Sequence, residues 1–183
     1  MNTYAYRNSM RELKIYELDQ AEMVEDKKRR VRSAGFDLTA AEYIACDLAN
    51  PEWIEMLQNS AYDCGKISFC SLLGLSYYLS DEAFRRLLCG INAICAAGSE
   101  IVFDYQTTEI SSVTDTNEKL AHAAGEQMKG KYTCAELEAL LQDCGFLIYE
   151  HLDSQEMTKQ YFAQSDEMTA PDGVAYVLAV KRN

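Results

Sequence analysis

Strand-like and helix-like segments alternate along this chain, and few architectures accommodate that order. "LKIYELD" (Leu13 to Asp19) reads as a short strand. A charged helical pattern follows from Gln20 to Ser33. Its acids (Glu22, Glu25, Asp26) come first and its bases (Lys27, Lys28, Arg29, Arg30, Arg32) last, which suits the helix dipole and marks the basic run as a solvated helix end. Gly35 is a natural stop. "EYIACDL" (Glu42 to Leu48) is a second strand, and Asn50 with Pro51 signals a helix start. "KISFCSLLG" (Lys66 to Gly74) is nearly all apolar, as a strand covered on both faces would be. From Asp81, the residues Phe84, Leu87, Leu88, Ile91 and Ile94 recur at helical spacing, with Gly98 as the stop. "EIVFDY" (Glu100 to Tyr105) is a fourth strand. Residues 106–132 read as a loop with one helix near Glu118 to Ala124. Thr133 and Glu136 form a capping box for a helix ending before Gly145. "FLIYEHL" (Phe146 to Leu152) and "VAYVLAVKR" (Val174 to Arg182) are two further strands, with no helix expected between them. The alternation predicts a parallel sheet with helices on both faces. The final two strands predict an antiparallel pair at one edge.

The 183 residues suffice for a single domain with a sizeable core. The formal net charge of -12 disfavours a nucleic-acid surface, which needs a basic face, and also anionic membranes. No stretch approaches the ~18 apolar residues of a membrane span, and no signal peptide is visible. Seven cysteines occur without a C-x-x-C pair, and only His122 and His151 accompany them. That pattern supplies no metal-ligand spacing and predicts reduced thiols in a cytoplasmic protein.

Two strands end on acids. In an open α/β sheet, ligands bind outside the carboxyl ends of the strands, where an acid accepts hydrogen bonds from ribose hydroxyls. Asp19 stands at such an end, with Glu17 on the same face. The alternative is that Asp19 caps the next helix, because D-Q-A-E fits a capping box with Glu22. Asp47 ends the next strand. It is placed either to meet an adenine amino group, with Leu48 packed on the ring, or to serve as a turn aspartate. The ribose acid lies ~20 residues beyond a glycine-rich loop in nucleotide-binding folds. Counting back from Asp19 reaches Met1, and no G-x-G occurs. The expectation is that the loop and a first strand precede this chain.

The same residues carry a resemblance. "NTYAYRN" looks like the end of the G-x-G-L-D-T-x-x-x-R segment of the leucine carboxyl methyltransferase family, which includes a bacterial branch of S-adenosylmethionine-dependent O-methyltransferases. "KIYELDQAEMVEDKKRRV", "ACDL", "FCSLLGLSYYLSDEA" and "GSEIVFDY" resemble its later strands in order. "GEQMKGKYTCAELEALLQDCGF" and "KQYFAQSD" are similar to its C-terminal motifs. The resemblance covers Asn2 to Arg182. It implies a Rossmann-like class I methyltransferase sheet, mostly parallel with an antiparallel C-terminal edge pair, here lacking the first strand and the glycine-rich loop. That strand is central in the family sheet, so its absence implies two inner edges with unpaired backbone. The resemblance assigns Arg7 to the methionine carboxylate of S-adenosylmethionine, Asp19 to its ribose, and Asp47 with Leu48 to its adenine. Two departures stand out. Asn2 replaces a family aspartate, and Leu72-Leu73 replaces a frequent Trp-Glu whose glutamate contacts the cofactor near its amino end.

The implied chemistry is methyl transfer to an oxygen of a small-molecule or peptide acceptor. A carboxylate acceptor needs no general base. A hydroxyl acceptor would use one, and His122 is a candidate beside the reading of a loop histidine without a role. Tyr77 and Tyr78 either line the acceptor pocket or pack in the core. The competing expectation is a non-catalytic remnant, or a subunit needing a complementary N-terminal piece. A dehydrogenase fits the strand-end acid but not the C-terminal motifs. Open strand edges also predict self-association.

Overall fold

The computed structural model describes residues 3–10, 12–109, 119, 127–164 and 168–182. His122, Asn2 and most of the helix expected over Glu118 to Ala124 lie outside them. The chain forms two compact units, Met1–Asp63 and Cys64–Asn183.

The first unit holds α1 (Tyr4–Arg7), β1 (Tyr16–Asp19), α2 (Ala21–Ser33), β2 (Glu42–Ala45) and α3 (Glu52–Gln58). β1 and β2 pair in parallel, in register from Tyr16–Glu42 to Asp19–Ala45, with α2 as the crossover. Val24 and Val31, two turns apart on α2, are both buried. The helix stops in a Schellman motif: Phe36 N–H donates to Val31 O at 3.1 Å and Gly35 N–H to Arg32 O at 3.0 Å. Gly35 has φ +77°, a left-handed backbone that glycine adopts without a Cβ penalty. The basic run is only partly a solvated end. Arg29 and Arg30 are exposed and pair with Asp26, but Lys27 pairs with Glu17 of β1. Lys27 and Lys28 lie 6.0 and 5.7 Å from the Tyr43 ring centroid. α2 is thus fastened to its own sheet by charge as well as by valines. α3 begins after Pro51, whereas Asn50 does not cap it. The Asn50 amide donates to Asp47 instead.

The second unit holds β3 (Phe69–Leu72), α4 (Asp81–Ile94), β4 (Glu100–Gln106), α5 (Cys134–Asp143), β5 (Phe146–Leu152), α6 (Ser154–Tyr161) and β6 (Val174–Lys181). The strand order is β3-β4-β6-β5. β3 is parallel to β4, while β6 is antiparallel to both its neighbours. The mixed sheet follows the expected plan, with β5 at the edge and β6 inside it. One face of the two inner strands is fully buried: Ile101, Phe103 and Tyr105 on β4, and Ala175, Val177 and Ala179 on β6. α4 lays Phe84, Leu87, Leu88, Ile91 and Ile94 into the core, all at most 5% exposed. Phe84 meets Phe103 edge-on at 5.3 Å between centroids. Lys181 Nζ donates to the carbonyls of Asn92 (2.6 Å) and Cys95 (2.7 Å), satisfying acceptors that the end of α4 leaves open.

Two expectations need correction. A helix, α6, does occupy the connection between β5 and β6. Asp153 and Glu156 cap it reciprocally, with Glu156 N–H to Asp153 Oδ1 at 2.8 Å. β3 is also not covered on both faces: Phe69 is 64% exposed, and flanking Ile67 and Leu73 are exposed too. It spans four residues and pairs on one side only, with β4. β1 likewise pairs on one side only among the described strands, with β2.

Candidate functional site

The carboxyl ends of β1 and β2 bring two acids to one place. Parallel pairing sets Asp19 opposite Ala45. One step further, Cys46 N–H donates to Asp19 O at 2.8 Å. Cys46 is therefore flanked by Asp19 across the ladder and by Asp47 next in sequence. Its buried thiol reports both: burial first, then the charges of Asp19 and Asp47, push its pKa up to about 11.

The two acids differ in what they already bind. Asp19 is exposed, and its Oδ1 accepts the Gln20 N–H at 2.8 Å. No described residue bonds Oδ2. The capping box with Glu22 does not form, because α2 takes Gln20 as its cap and makes no side-chain cap bond. Glu17 turns to a different task. It is held by Lys27 and leaves Oε1 buried without a described partner. Asp47 is a turn aspartate in this structure: Oδ1 accepts Ala49 N–H at 2.9 Å and Oδ2 accepts the Asn50 amide at 2.7 Å. Leu48 beside it is half-buried. Arg7 sits on the separate turn of α1, where its Nε donates to Thr3 Oγ1 at 2.9 Å. The structure joins Asp19, Asp47 and Leu48 at one sheet end and records no bond from Arg7 to them.

In the second unit, sequence reasoning missed the role of Asp104. Its Oδ1 accepts Gly74 N–H at 2.6 Å, its Oδ2 accepts the Tyr77 hydroxyl at 3.0 Å, and its backbone carbonyl accepts the Ser76 hydroxyl at 2.6 Å. The acid near the end of "EIVFDY" was the only signal. Burial, then the Asp104 charge, raises Tyr77 well above the ordinary phenol range, so it stays a donor. Tyr77 is thereby an anchor of the turn after β3, and Tyr78 is exposed beside it. Leu73, in the same turn, is exposed and offers no acceptor.

Comparison with known proteins sets these residues in a family. A model described as leucine carboxyl methyltransferase matches residues 1–92. YktD of Bacillus subtilis, named as a candidate S-adenosyl-L-methionine-dependent methyltransferase, is 29% identical over 192 residues, covering 100% of this chain and 63% of that protein. A similarly named protein of Mycobacterium marinum is 34% identical over 92 residues, covering 50% of this chain and 30% of that one. The chain thus spans less than two thirds of the length of these relatives. Among solved structures, a duf574 family protein from Streptomyces avermitilis is similar with TM-score 0.70 and 14% identity, covering 92% of this chain and 65% of that one. Human N-acetylserotonin methyltransferase in complex with SAM is similar with TM-score 0.60 and 14% identity, over 93% of this chain and 41% of that one. At such identities the likeness is one of fold, and it is the methyltransferase α/β fold. The family model spans half of the sequence, and the chain belongs to the leucine carboxyl methyltransferase family.

Proposed function

We propose that the chain belongs to an S-adenosylmethionine-dependent O-methyltransferase directed at a carboxylate, and that its activity is impaired in the chain as it stands. The observation that carries the cofactor reading is Asp19, an exposed carboxylate closing a parallel strand whose Oδ2 no described residue bonds. The residues present fit a nucleoside at that place. Asp19 would accept the ribose hydroxyls, and half-buried Leu48 would offer an apolar surface to the base. Asp47 would reach the adenine amino group through lone pairs left by its turn bonds. Arg7 is proposed for the methionine carboxylate. When bound, the cofactor supplies a sulfonium-activated methyl group. The protein's task is then to align acceptor oxygen, methyl carbon and sulfur in a dry pocket. A carboxylate acceptor arrives already anionic, so no base is required of this chain. The acceptor is a small molecule or peptide.

Impairment rests on chemistry. Leu73 stands in the turn after β3 and cannot accept a hydrogen bond from an ammonium group. The second reading is a non-catalytic remnant, or a subunit completed by a separate N-terminal segment. Among the described residues β1 and β3 each pair on one side only, which supports it.

Calorimetric titration with S-adenosylmethionine separates the readings. Binding by the wild type, weakened roughly 10–100-fold in Asp19→Ala by loss of a charge-assisted hydrogen bond worth ~1.5–3 kcal/mol, supports the methyltransferase. A chain that melts cooperatively yet gives no heat at millimolar cofactor supports the remnant.

A further inference from the structure

All seven cysteines are reduced, and the fold, rather than any C-x-x-C spacing, brings four of them together in pairs within the second unit. Cys89 Sγ lies 2.8 Å from Cys144 Sγ, 55 residues apart in sequence. Cys70 Sγ lies 3.9 Å from Cys95 Sγ. The first pair is the closer, and it is built into a three-rung contact. Arg85, Cys89 and Asn92 stand at i, i+4 and i+7, on one face of α4. They meet three consecutive residues at the end of α5. Arg85 Nη1 bonds Asp143 Oδ2 at 3.0 Å, Cys89 meets Cys144, and Asn92 Nδ2 donates to Gly145 O at 3.1 Å. The close approach depends on glycine. A Cβ added at Gly145 would lie 2.8 Å from Asn92 Nδ2. The rungs on either side hold the two sulfurs in register, so bond formation needs little backbone movement.

We propose that Cys89 and Cys144 form a reversible disulfide on exposure to a hydroperoxide, a redox modification site clipping α4 to the end of α5. The two thiols are unequal in a way that orders the chemistry. Cys89 is exposed, whereas Cys144 is 5% exposed. Burial pushes the Cys144 thiol up to about 12, with the Cys89 contact adding to it. Cys89 is therefore the sulfur that meets the oxidant. Its thiolate attacks one peroxide oxygen, the O–O bond breaks, and hydroxide leaves to take up a proton as water. The resulting sulfenic sulfur is attacked by Cys144. The S–S bond forms, and the sulfenic oxygen departs as a second water carrying the Cys144 proton. In sum, two thiols and one hydrogen peroxide give one disulfide and two waters. The Cys70–Cys95 pair is an internal control. Cys95 is buried and Cys70 half-buried, and their sulfurs stand farther apart, at 3.9 Å.

The test treats the purified chain with hydrogen peroxide, blocks remaining thiols with N-ethylmaleimide, and maps peptides by mass spectrometry with and without dithiothreitol. The expected result is a dithiothreitol-sensitive link between the Cys89 and Cys144 peptides, with two fewer of the seven thiols blocked. The link should vanish in Cys89→Ser and persist in Cys70→Ser. The oxidised wild type should melt higher than the reduced form, and Cys89→Ser should show no such rise. Cys89 oxidised while Cys144 stays free, or linkage through another pair in its place, overturns the proposal. Cys89 is exposed, so its serine variant keeps the fold, and a reduced melt equal to the wild type checks that.

Discussion

The backbone N–H of Cys46 donates to the carbonyl of Asp19 at 2.8 Å, extending the β1–β2 ladder by one bond beyond the last paired residues. That single bond places a buried thiol between two carboxylates. It predicts that Asp19→Asn lowers the Cys46 pKa from about 11 toward the ordinary value of 9.0, because one opposing charge is gone. The folded value is the raised one. Cys46 therefore contributes stability in full below pH 9, and loses it as pH rises from about 9 to about 11. Titrating the cysteine Cβ resonances in wild type and variant by NMR checks the shift. An unchanged Cys46 midpoint would sink the placement of Asp19.

Asp19 and Asp153 offer a matched comparison. Each opens an Asp-x-x-Glu pattern, yet only Asp153 caps a helix. Asp153→Ala should cost about 1 kcal/mol, the usual price of a lost N-cap. Asp19→Ala should cost less than ~0.5 kcal/mol, as an exposed surface change does. Urea denaturation of both variants measures the difference. Equal losses would restore the capping role to Asp19.

Gly130 sits against the turn after β3. A Cβ there would approach Ser76 O to 2.6 Å and the Tyr132 ring to 3.3 Å. Both Lys129 and Gly130 donate backbone bonds to Tyr77 O. Gly130→Ala should destabilise by about 1–3 kcal/mol through overpacking against backbone that cannot yield. A thermal melt that matches the wild type would show that the segment shifts freely.

Phe84 is fully buried and packs on both Phe103 and Tyr132. Phe84→Ala should lose about 3–5 kcal/mol, a large share of the ~5–15 kcal/mol available to a domain. Chemical denaturation with a near-ultraviolet signal from the neighbouring tyrosines would follow it.

β1 and β3 each leave one edge without a strand partner among the described residues, and Ile67, Phe69 and Leu73 stand exposed around β3. Open apolar edges pair with other chains. Light scattering should find species larger than a monomer, shifting to smaller ones in Phe69→Lys. A monodisperse monomer at high concentration would contradict this.

The strands of the second unit were largely legible. β5 spans Phe146–Leu152 as its sequence reads, and β4 and β6 differ by a residue. Their strong apolar alternation leaves little choice of face. β1, β2 and β3 shrink to four residues each, because paired length depends on neighbours that the local sequence does not reveal. The fate of the two Asp-x-x-Glu patterns was not local either. Asp19 is committed to the ladder by its carbonyl, so the helix starts later, while Asp153 follows the end of its strand and is free to cap. The place of Asp19 at a strand end was legible from the residues, whereas its assignment to a ribose came only with the family resemblance. The turn bonds of Asp47 and the anchoring of Tyr77 by Asp104 needed the folded backbone. So did the pairing of Cys89 with Cys144.

The position of β6 between β4 and β5 sets a schedule. β4 ends at Gln106 and its antiparallel partner begins at Val174. At ~5–20 residues per second of synthesis, β4 waits roughly 3–14 s for that neighbour. β5 is made in between and has no described strand to pair with except β6. A nascent chain therefore carries two long apolar strands with bare edges until β6 is made, and it is during that interval that those edges are most open to pairing with another chain.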